Sequence, residues 1–181
     1  MTGEKRVTSR IAWGITGGGH FLAPCMELLV KLHDIDVFIS RAAREVLAGY
    51  GLLESLLGCG HRLYWDRSAS SRAVTGLYRG YYRLVIIAPA TSNTIAKFVA
   101  GISDNLVTNL FAHAGKCRVP VVVLPTDIGP EIDSPAPPGF RVRVYPRNID
   151  LENVARLSTC PGVTVVKHPR EIDQILSTSR K

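Results

Sequence analysis

Between Ile87 and Phe98 the chain reads Ile-Ala-Pro-Ala-Thr-Ser-Asn-Thr-Ile-Ala-Lys-Phe: an apolar run that ends at Pro89 and Ala90 and passes straight into Thr91, Ser92, Asn93 and Thr94. Small side chains let a ligand approach the backbone there, while hydroxyls and the unpaired amides of a new helix donate hydrogen bonds to an anion. A second anion-binding candidate is Gly14-Ile15-Thr16-Gly17-Gly18-Gly19, which also joins an apolar run to a helical pattern. Thr16 stands where a Gly-x-Gly-x-x-Gly dinucleotide fingerprint has its second glycine. The next apolar run ends in Ser40-Arg41, with Ala43 beyond, rather than in the acid that holds a dinucleotide ribose. There is no Gly-Lys-Ser/Thr. A monophosphate fits this pattern better, with hydroxyls from Thr16 and Ser40 and amides from Gly17 and Gly18. Glycine clusters also occur in plain strand-to-helix turns; it is the pairing with Pro89–Thr94 that points to phosphate.

The elements that must position these residues follow from periodicity. Ile11–Ile15, Ile35–Ile39, Leu84–Ala88 and Val119–Leu124 read as buried strands. Phe21, Leu22, Cys25, Leu28, Leu29 and Leu32 recur at helical spacing, as do apolar residues over 42–57 (interrupted near Gly49 and Gly51), 94–100 and 105–114. Strands separated by helices pair in parallel through right-handed crossovers. The expected fold is therefore α/β, a Rossmann-like (flavodoxin-like) doubly wound parallel sheet with helices on both faces, in a single domain over 1–181. Ligands of such sheets sit beyond the carboxyl ends of the strands, where the loops after Ile15, Ile39 and Ala88 can converge. Residues 125–139 carry Pro125, Pro130, Pro135, Pro137 and Pro138 with Asp127, Glu131 and Asp133, and read as a proline-rich loop at that site. Beyond it, Arg141–Tyr145 and Val163–Val166 read as strands, Leu151–Leu157 and Pro169–Leu176 as helices. The ends, 1–9 and 177–181, are expected to be flexible.

At 181 residues, 46% hydrophobic and 20% charged, the chain has the composition of one folded domain with a full core. No apolar run reaches the roughly 18 residues of a membrane span, and the glycines after Trp13 spoil a signal peptide, so a cytoplasmic location is expected. Cys25, Cys59, Cys117 and Cys160 form no Cys-x-x-Cys pair and read as ordinary thiols; Cys59 near His61 is the one metal-like spacing, and no metal site is expected. The net charge of +7 is concentrated over 62–83, where Arg62, Arg67, Arg72, Arg79 and Arg83 mix with Tyr64, Trp65, Tyr78, Tyr81 and Tyr82. Such a mixture can bind single-stranded nucleic acid, but no nucleic-acid motif accompanies it. A solvated face, a subunit interface or recognition of an anionic small molecule is the simpler reading.

Taken together, Gly14-Ile15-Thr16-Gly17, Ser40 with Ala43, Pro89–Thr94 and Asp104-Asn105-Leu106 resemble, in order, the segments of the flavin-dependent cysteine decarboxylase superfamily. The resemblance covers roughly residues 10–125 and implies an FMN cofactor held by Thr16, Ser40, Ala90, Thr91, Ser92 and Asn93. It also implies assembly from trimers in which Asp104 and Asn105 approach the flavin ring from a neighbouring chain. The cysteine-decarboxylating members have a histidine before the third strand and a Pro-Ala-Met-Asn segment after the next; residues 66–83 contain no histidine, and Pro125-Thr126-Asp127-Ile128-Gly129-Pro130 replaces that segment. Pro125–Asp127, Tyr145–Val154, Gly162-Val163 and Pro169–Ile172 instead resemble the archaeal-type flavoproteins and dihydromethanopterin reductases. That branch implies FMN-dependent reduction of a dihydropterin, with a non-catalytic electron carrier and a flavin-dependent decarboxylase or prenyltransferase as alternatives. The electron donor stays open between a ferredoxin-like protein and NAD(P)H. Reduced flavin supplies hydride, so the protein need only position a C=N bond and exclude water. Asp127 is the candidate for the pterin's amide-amidine edge, or else a turn-forming or helix-capping residue. Asn93 either orients flavin or substrate, or caps the helix that follows it.

Overall fold

A computed structural model describes residues 10–67, 72–137 and 139–178. Of the ends expected to be flexible, 1–9 and 177–181, residues 1–9 and 179–181 lie outside the described residues, as does Pro138. The chain runs β1 (Arg10–Ile15), α1 (Leu22–Leu29), β2 (Ile35–Ile39), α2 (Arg41–Gly49), α3 (Leu53–Gly58), β3 (Arg62–Trp65), a 3-10 turn (Arg72–Gly76), β4 (Tyr82–Ala90), α4 (Ser92–Val99), α5 (Leu106–Lys116), β5 (Val121–Pro125), β6 (Ile132–Ala136), β7 (Phe140–Val144), α6 (Asn148–Ser158), β8 (Val163–Val165) and α7 (Pro169–Thr178). Six strands form one sheet in the order β3-β2-β1-β4-β5-β8, and every pairing in it is parallel.

Alternation along each strand sorts the core into two layers. Ile11, Trp13 and Ile15 of β1 and Leu84, Ile86 and Ala88 of β4 face one side, against Leu22 and Leu29 of α1, Leu47 of α2, Leu56 of α3 and Ile172 and Leu176 of α7. Ala12, Phe38, Val85 and Ile87 face the other, against Ile95 and Phe98 of α4, Val107 and Leu110 of α5 and Leu157 of α6. Each such Leu or Ile, fully buried, contributes about 1.5–3 kcal/mol relative to exposure. The doubly wound parallel sheet with helices on both faces is thus the observed fold. No helix among the described residues is long and apolar enough to cross a membrane.

Three elements depart from the sequence reading. β3 forms the edge of the sheet with Arg62 exposed and its other residues half-buried; a charged edge strand lacks the apolar run that marks its neighbours. The proline-rich loop over 125–139 contains β6, which pairs antiparallel with β7 in a separate hairpin. Pro135 is accommodated there because a two-stranded ribbon has open edges that require no donor. Ser177 and Thr178, expected to fray, complete α7. The aromatics of the basic stretch also turn inward: Tyr82 is buried, and Phe38 packs against both Tyr64 (centroids 5.0 Å apart) and Tyr82 (6.0 Å). Arg44 lies 5.4 Å over the Trp65 ring. Tyr78 and Tyr81 alone of these five stay exposed.

Candidate functional site

The chain leaves β1 toward β2 on one side, while β4 lies on the other, and α1 and α4 pack on opposite faces of the sheet. The ends of β1 and β4 therefore bound the crevice where strand order reverses, the place such sheets bind ligands. Thr16 ties the two ends together. Its hydroxyl donates to the Pro89 carbonyl (2.8 Å) and accepts from the Thr91 amide (2.9 Å), and its own amide donates to the same carbonyl (3.2 Å). The Ala90 carbonyl in turn accepts from the Thr126 amide (2.9 Å), which adds the end of β5.

The glycines fit between these loops. A Cβ on Gly17 would stand 2.7 Å from Ala42 Cβ, and one on Gly18 would stand 2.5 Å from Thr126 Cγ2, so only a bare backbone passes. Around this passage the amides of Gly17, Gly19, Ser92 and Asn93 have no acceptor among the described residues; the Gly18 amide is taken by the Thr16 carbonyl (2.9 Å). Thr91 caps α4, its Oγ1 accepting from the Thr94 amide (3.3 Å), and Ser40 caps α2 by accepting from the Ala43 amide (3.1 Å). The cap leaves the Ser40 hydroxyl proton to donate elsewhere. The arrangement is a donor-rich cradle of backbone amides, helix N-termini and one hydroxyl, suited to a phosphate.

The β6–β7 hairpin folds over one side of this cradle. Tyr50 donates to the Pro135 carbonyl (2.7 Å), and its hydroxyl lies over Gly19, where any Cβ would collide with it. His20 follows, its ring 3.9 Å from that of Phe21, a residue held in the left-handed region at φ 63°. His20 Nδ1 is the one buried side-chain polar atom without a hydrogen-bond partner among the described residues. Burial pushes this imidazole below its ordinary pKa; Asp127 opposes the shift, Arg141 adds to it, and Asp133 opposes it. Asp127, half-buried at the end of β5, accepts from the Thr126 hydroxyl (2.8 Å) and caps no helix.

Other charged groups are occupied elsewhere. Asp66 accepts from the Leu106 amide (3.1 Å) and Asn105 from those of Val107 and Thr108 (both 3.0 Å), which saturates the start of α5. Asp104 pairs with Lys97 (2.6 Å), whose hydrogen bond holds its carboxyl below the usual range. Asp36, buried near the opposite ends of the strands, accepts from Tyr82 (2.7 Å) and Arg10 (3.2 Å). No cluster of three or more metal-ligating side chains occurs among the described residues.

The flavoprotein family model matches residues 2–179. The chain belongs to the flavoprotein family. This flavoprotein is 41% identical to Burkholderia xenovorans DmrB, solved in complex with FMN and described as a cubic protein cage for redox transfer; the match covers 96% of both chains with a TM-score of 0.87. It is 38% identical over 165 residues to a dihydromethanopterin reductase (acceptor) of Methanosarcina mazei, covering 84% of this chain but 65% of that protein's length. A second dihydromethanopterin reductase (acceptor), from Methanocaldococcus jannaschii, is 31% identical over 188 residues, covering 94% of this chain and 73% of its relative.

Of the residues singled out in the flavoprotein's sequence, Gly17, Gly18, Ser40, Thr91, Ser92 and Asn93 converge on the cradle. Six others support it, and Asp104 and Asn105 lie at the start of α5. Gly14 lets α5 approach β1, since a Cβ there would press on Val107 at 3.2 Å. Ala43, Pro89 and Ala90 are buried, Thr94 is 7% exposed, and Thr16 spends its hydroxyl on Pro89 and Thr91. These residues support the shape of the cradle from within the protein. Asp104 and Asn105 are engaged by Lys97, Thr108 and the α5 amides within their own chain. His20 and Tyr50 were missed. A histidine closing a glycine run was the available signal for the first; the second depends on a long-range contact with the hairpin that no local pattern encodes.

Proposed function

We propose that this flavoprotein is an FMN-dependent dihydropterin reductase whose substrate is dihydromethanopterin or a close analogue. The observation that carries the reading is the likeness over 96% of both chains to a redox protein solved with FMN; the two reductase relatives support the pterin. The residues present fit the cofactor, because Gly17 and Gly18 leave a passage that any Cβ would fill and the surrounding amides lack acceptors among the described residues. The amides of Gly17, Gly19, Ser92 and Asn93 with the Ser40 hydroxyl would hold the phosphate. Bound FMN supplies a two-electron hydride centre. Asp127 would accept from the amide-amidine edge of the pterin, and the hairpin tied down by Tyr50 would help exclude water. Asn93, exposed and no longer needed as a cap, would orient flavin or substrate.

Self-assembly, in units built from trimers, belongs to the same proposal. Phe140, Tyr145 and Ile149 are 53%, 65% and 49% exposed along β7 and the start of α6, an apolar surface that a second copy would cover. The deciding experiment is the visible spectrum of the purified protein, oxidised, photoreduced without oxygen, and after addition of dihydromethanopterin. Bleaching of a flavin spectrum followed by its return on adding the pterin is the expected result. A flavin that stays reduced would move the assignment to an electron carrier or a decarboxylase, and absence of flavin after soaking in FMN would overturn it altogether.

A further inference from the structure

We propose that His20 is the proton donor of this flavoprotein's pterin reduction. The inference rests on the reductase reading above. Reduction of a C=N bond needs two partners: carbon takes the hydride, with both electrons coming from reduced FMN, and nitrogen takes a proton. The imidazolium N–H bond breaks as the new N–H bond forms, and neutral imidazole is reprotonated from water. The cofactor is oxidised by two electrons and the pterin reduced by two.

His20 is placed for this on several independent grounds. It directly follows the glycine passage at the switch point of the sheet. Its Nδ1 is buried and unpartnered, and an unsatisfied buried polar atom in a native fold calls for an explanation such as a catalytic role. Its ring is fixed against Phe21, which itself meets His168 edge-on at 5.7 Å. The charged groups acting on it are Asp127 at the end of β5 and Asp133 and Arg141 from the hairpin. Asp127 is the residue assigned to the pterin edge, so the charge that would hold the substrate also acts on the imidazole. The hairpin side chains also contact each other rather than solvent alone, Arg141 Nε donating to Asp133 (2.7 Å).

The test compares wild type with His20→Gln, each loaded with FMN, photoreduced, and mixed anaerobically with dihydromethanopterin or with ferricyanide. Ferricyanide takes electrons without protonation of a substrate nitrogen. The expected result is equal FMN affinity and equal ferricyanide rates, with the pterin rate about 100-fold lower in His20→Gln. The wild-type pterin rate should fall as pH rises through the imidazole pKa, since the donor is the protonated form, and the variant should lack that limb. In oxidised wild type the His20 imidazole NMR resonances should move on adding the pterin. An unchanged pterin rate, or unmoved resonances, overturns the proposal. So does a variant that loses FMN or slows with both acceptors, which marks a structural role; His20→Asn provides a second variant for that comparison. Wild type that reduces ferricyanide but not the pterin refutes the reductase reading itself.

Discussion

Alanine at Gly18 tests the phosphate cradle most directly. Its Cβ would stand 2.5 Å from Thr126 Cγ2 and 3.4 Å from Thr91 Cγ2, about 1 Å inside the distance at which carbon atoms attract. Thr126 cannot easily yield: it is 7% exposed, its amide donates to the Ala90 carbonyl (2.9 Å) and its hydroxyl to Asp127 (2.8 Å). Overpacking of this kind costs about 1–3 kcal/mol. For a chain of this length each kcal/mol lowers Tm by about 2–4 °C, so Gly18→Ala should melt about 2–12 °C lower. If the cradle opens by the same displacement, FMN affinity should fall about tenfold per 1.4 kcal/mol. Thr126→Ser removes the colliding methyl yet keeps the hydroxyl for Asp127, at a cost of about 1 kcal/mol. The double variant should then regain most of what Gly18→Ala loses, giving a coupling of about 1–2 kcal/mol in a double-mutant cycle measured by urea unfolding. Strict additivity, or a Gly18→Ala protein that melts and binds FMN like wild type, would refute the close-approach argument.

Thr16→Val removes the hydroxyl that joins β1 to Pro89 and Thr91, leaving the Thr91 amide unsatisfied; urea unfolding should show a loss of about 1–3 kcal/mol. Asp127→Asn should raise KM for the dihydropterin about 10- to 100-fold, the worth of charge-assisted hydrogen bonds of about 1.5–3 kcal/mol, while FMN binding followed by fluorescence stays unchanged. Asp66→Ala uncaps the first amide of α5 and should destabilise by about 1 kcal/mol without altering the flavin spectrum. The Asp150 carboxyl is held below its usual range chiefly by its hydrogen bonds with Arg147 (2.9 and 2.7 Å). Its folded-state pKa is thus depressed, so its contribution is complete above about pH 4 and is lost as pH falls through the folded value. Asp150→Asn should accordingly narrow the wild-type stability advantage as the pH is lowered, measured by unfolding at a series of acidic pH values.

The fold was legible because the buried strands wrote themselves as apolar runs: Ile35–Ile39 agrees residue for residue with β2, and the glycine and Pro89 segments marked the right strand ends. What escaped was decided by tertiary context. β3 is half-buried at a sheet edge, so its sequence carries charge and aromatics instead of an apolar signature. β6 is paired only with β7, and Pro135 within it, with Pro130 and Pro137 around it, masked a strand whose partner lies across a turn. Asn93 looked like a cap because it precedes an apolar stripe, yet the helix begins two residues sooner, at Ser92, and Thr91 caps it. His20 carries no local signal beyond its place after the glycines, since the charges that act on it, Asp127, Asp133 and Arg141, lie more than a hundred residues further along the chain.

The hydroxyls of Thr16 and Thr91, the residues most suggestive of ligand contact in the sequence, are both engaged inside the protein, one bridging β1 to β4 and the other capping α4 and meeting the Thr94 hydroxyl (3.0 Å). The donors left over are backbone amides and the Ser40 hydroxyl, and amides are common to every residue but proline. The side chains of the motif therefore act by fixing where the backbone passes: Thr16 sets the separation of the strand ends, Gly17 and Gly18 allow the loops to close to contact distance, and the caps at Ser40 and Thr91 aim the helix starts. Binding of a phosphate to such a cradle is insensitive to the chemistry of its side chains and sensitive to their volume. On the function proposed above, substrate choice then lies with Asn93, Asp127 and His20, the side chains assigned to flavin or pterin beyond the cradle. Volume changes at Gly17 and Gly18 should consequently alter FMN affinity, whereas isosteric changes at Asp127 and His20 should alter turnover of the pterin alone.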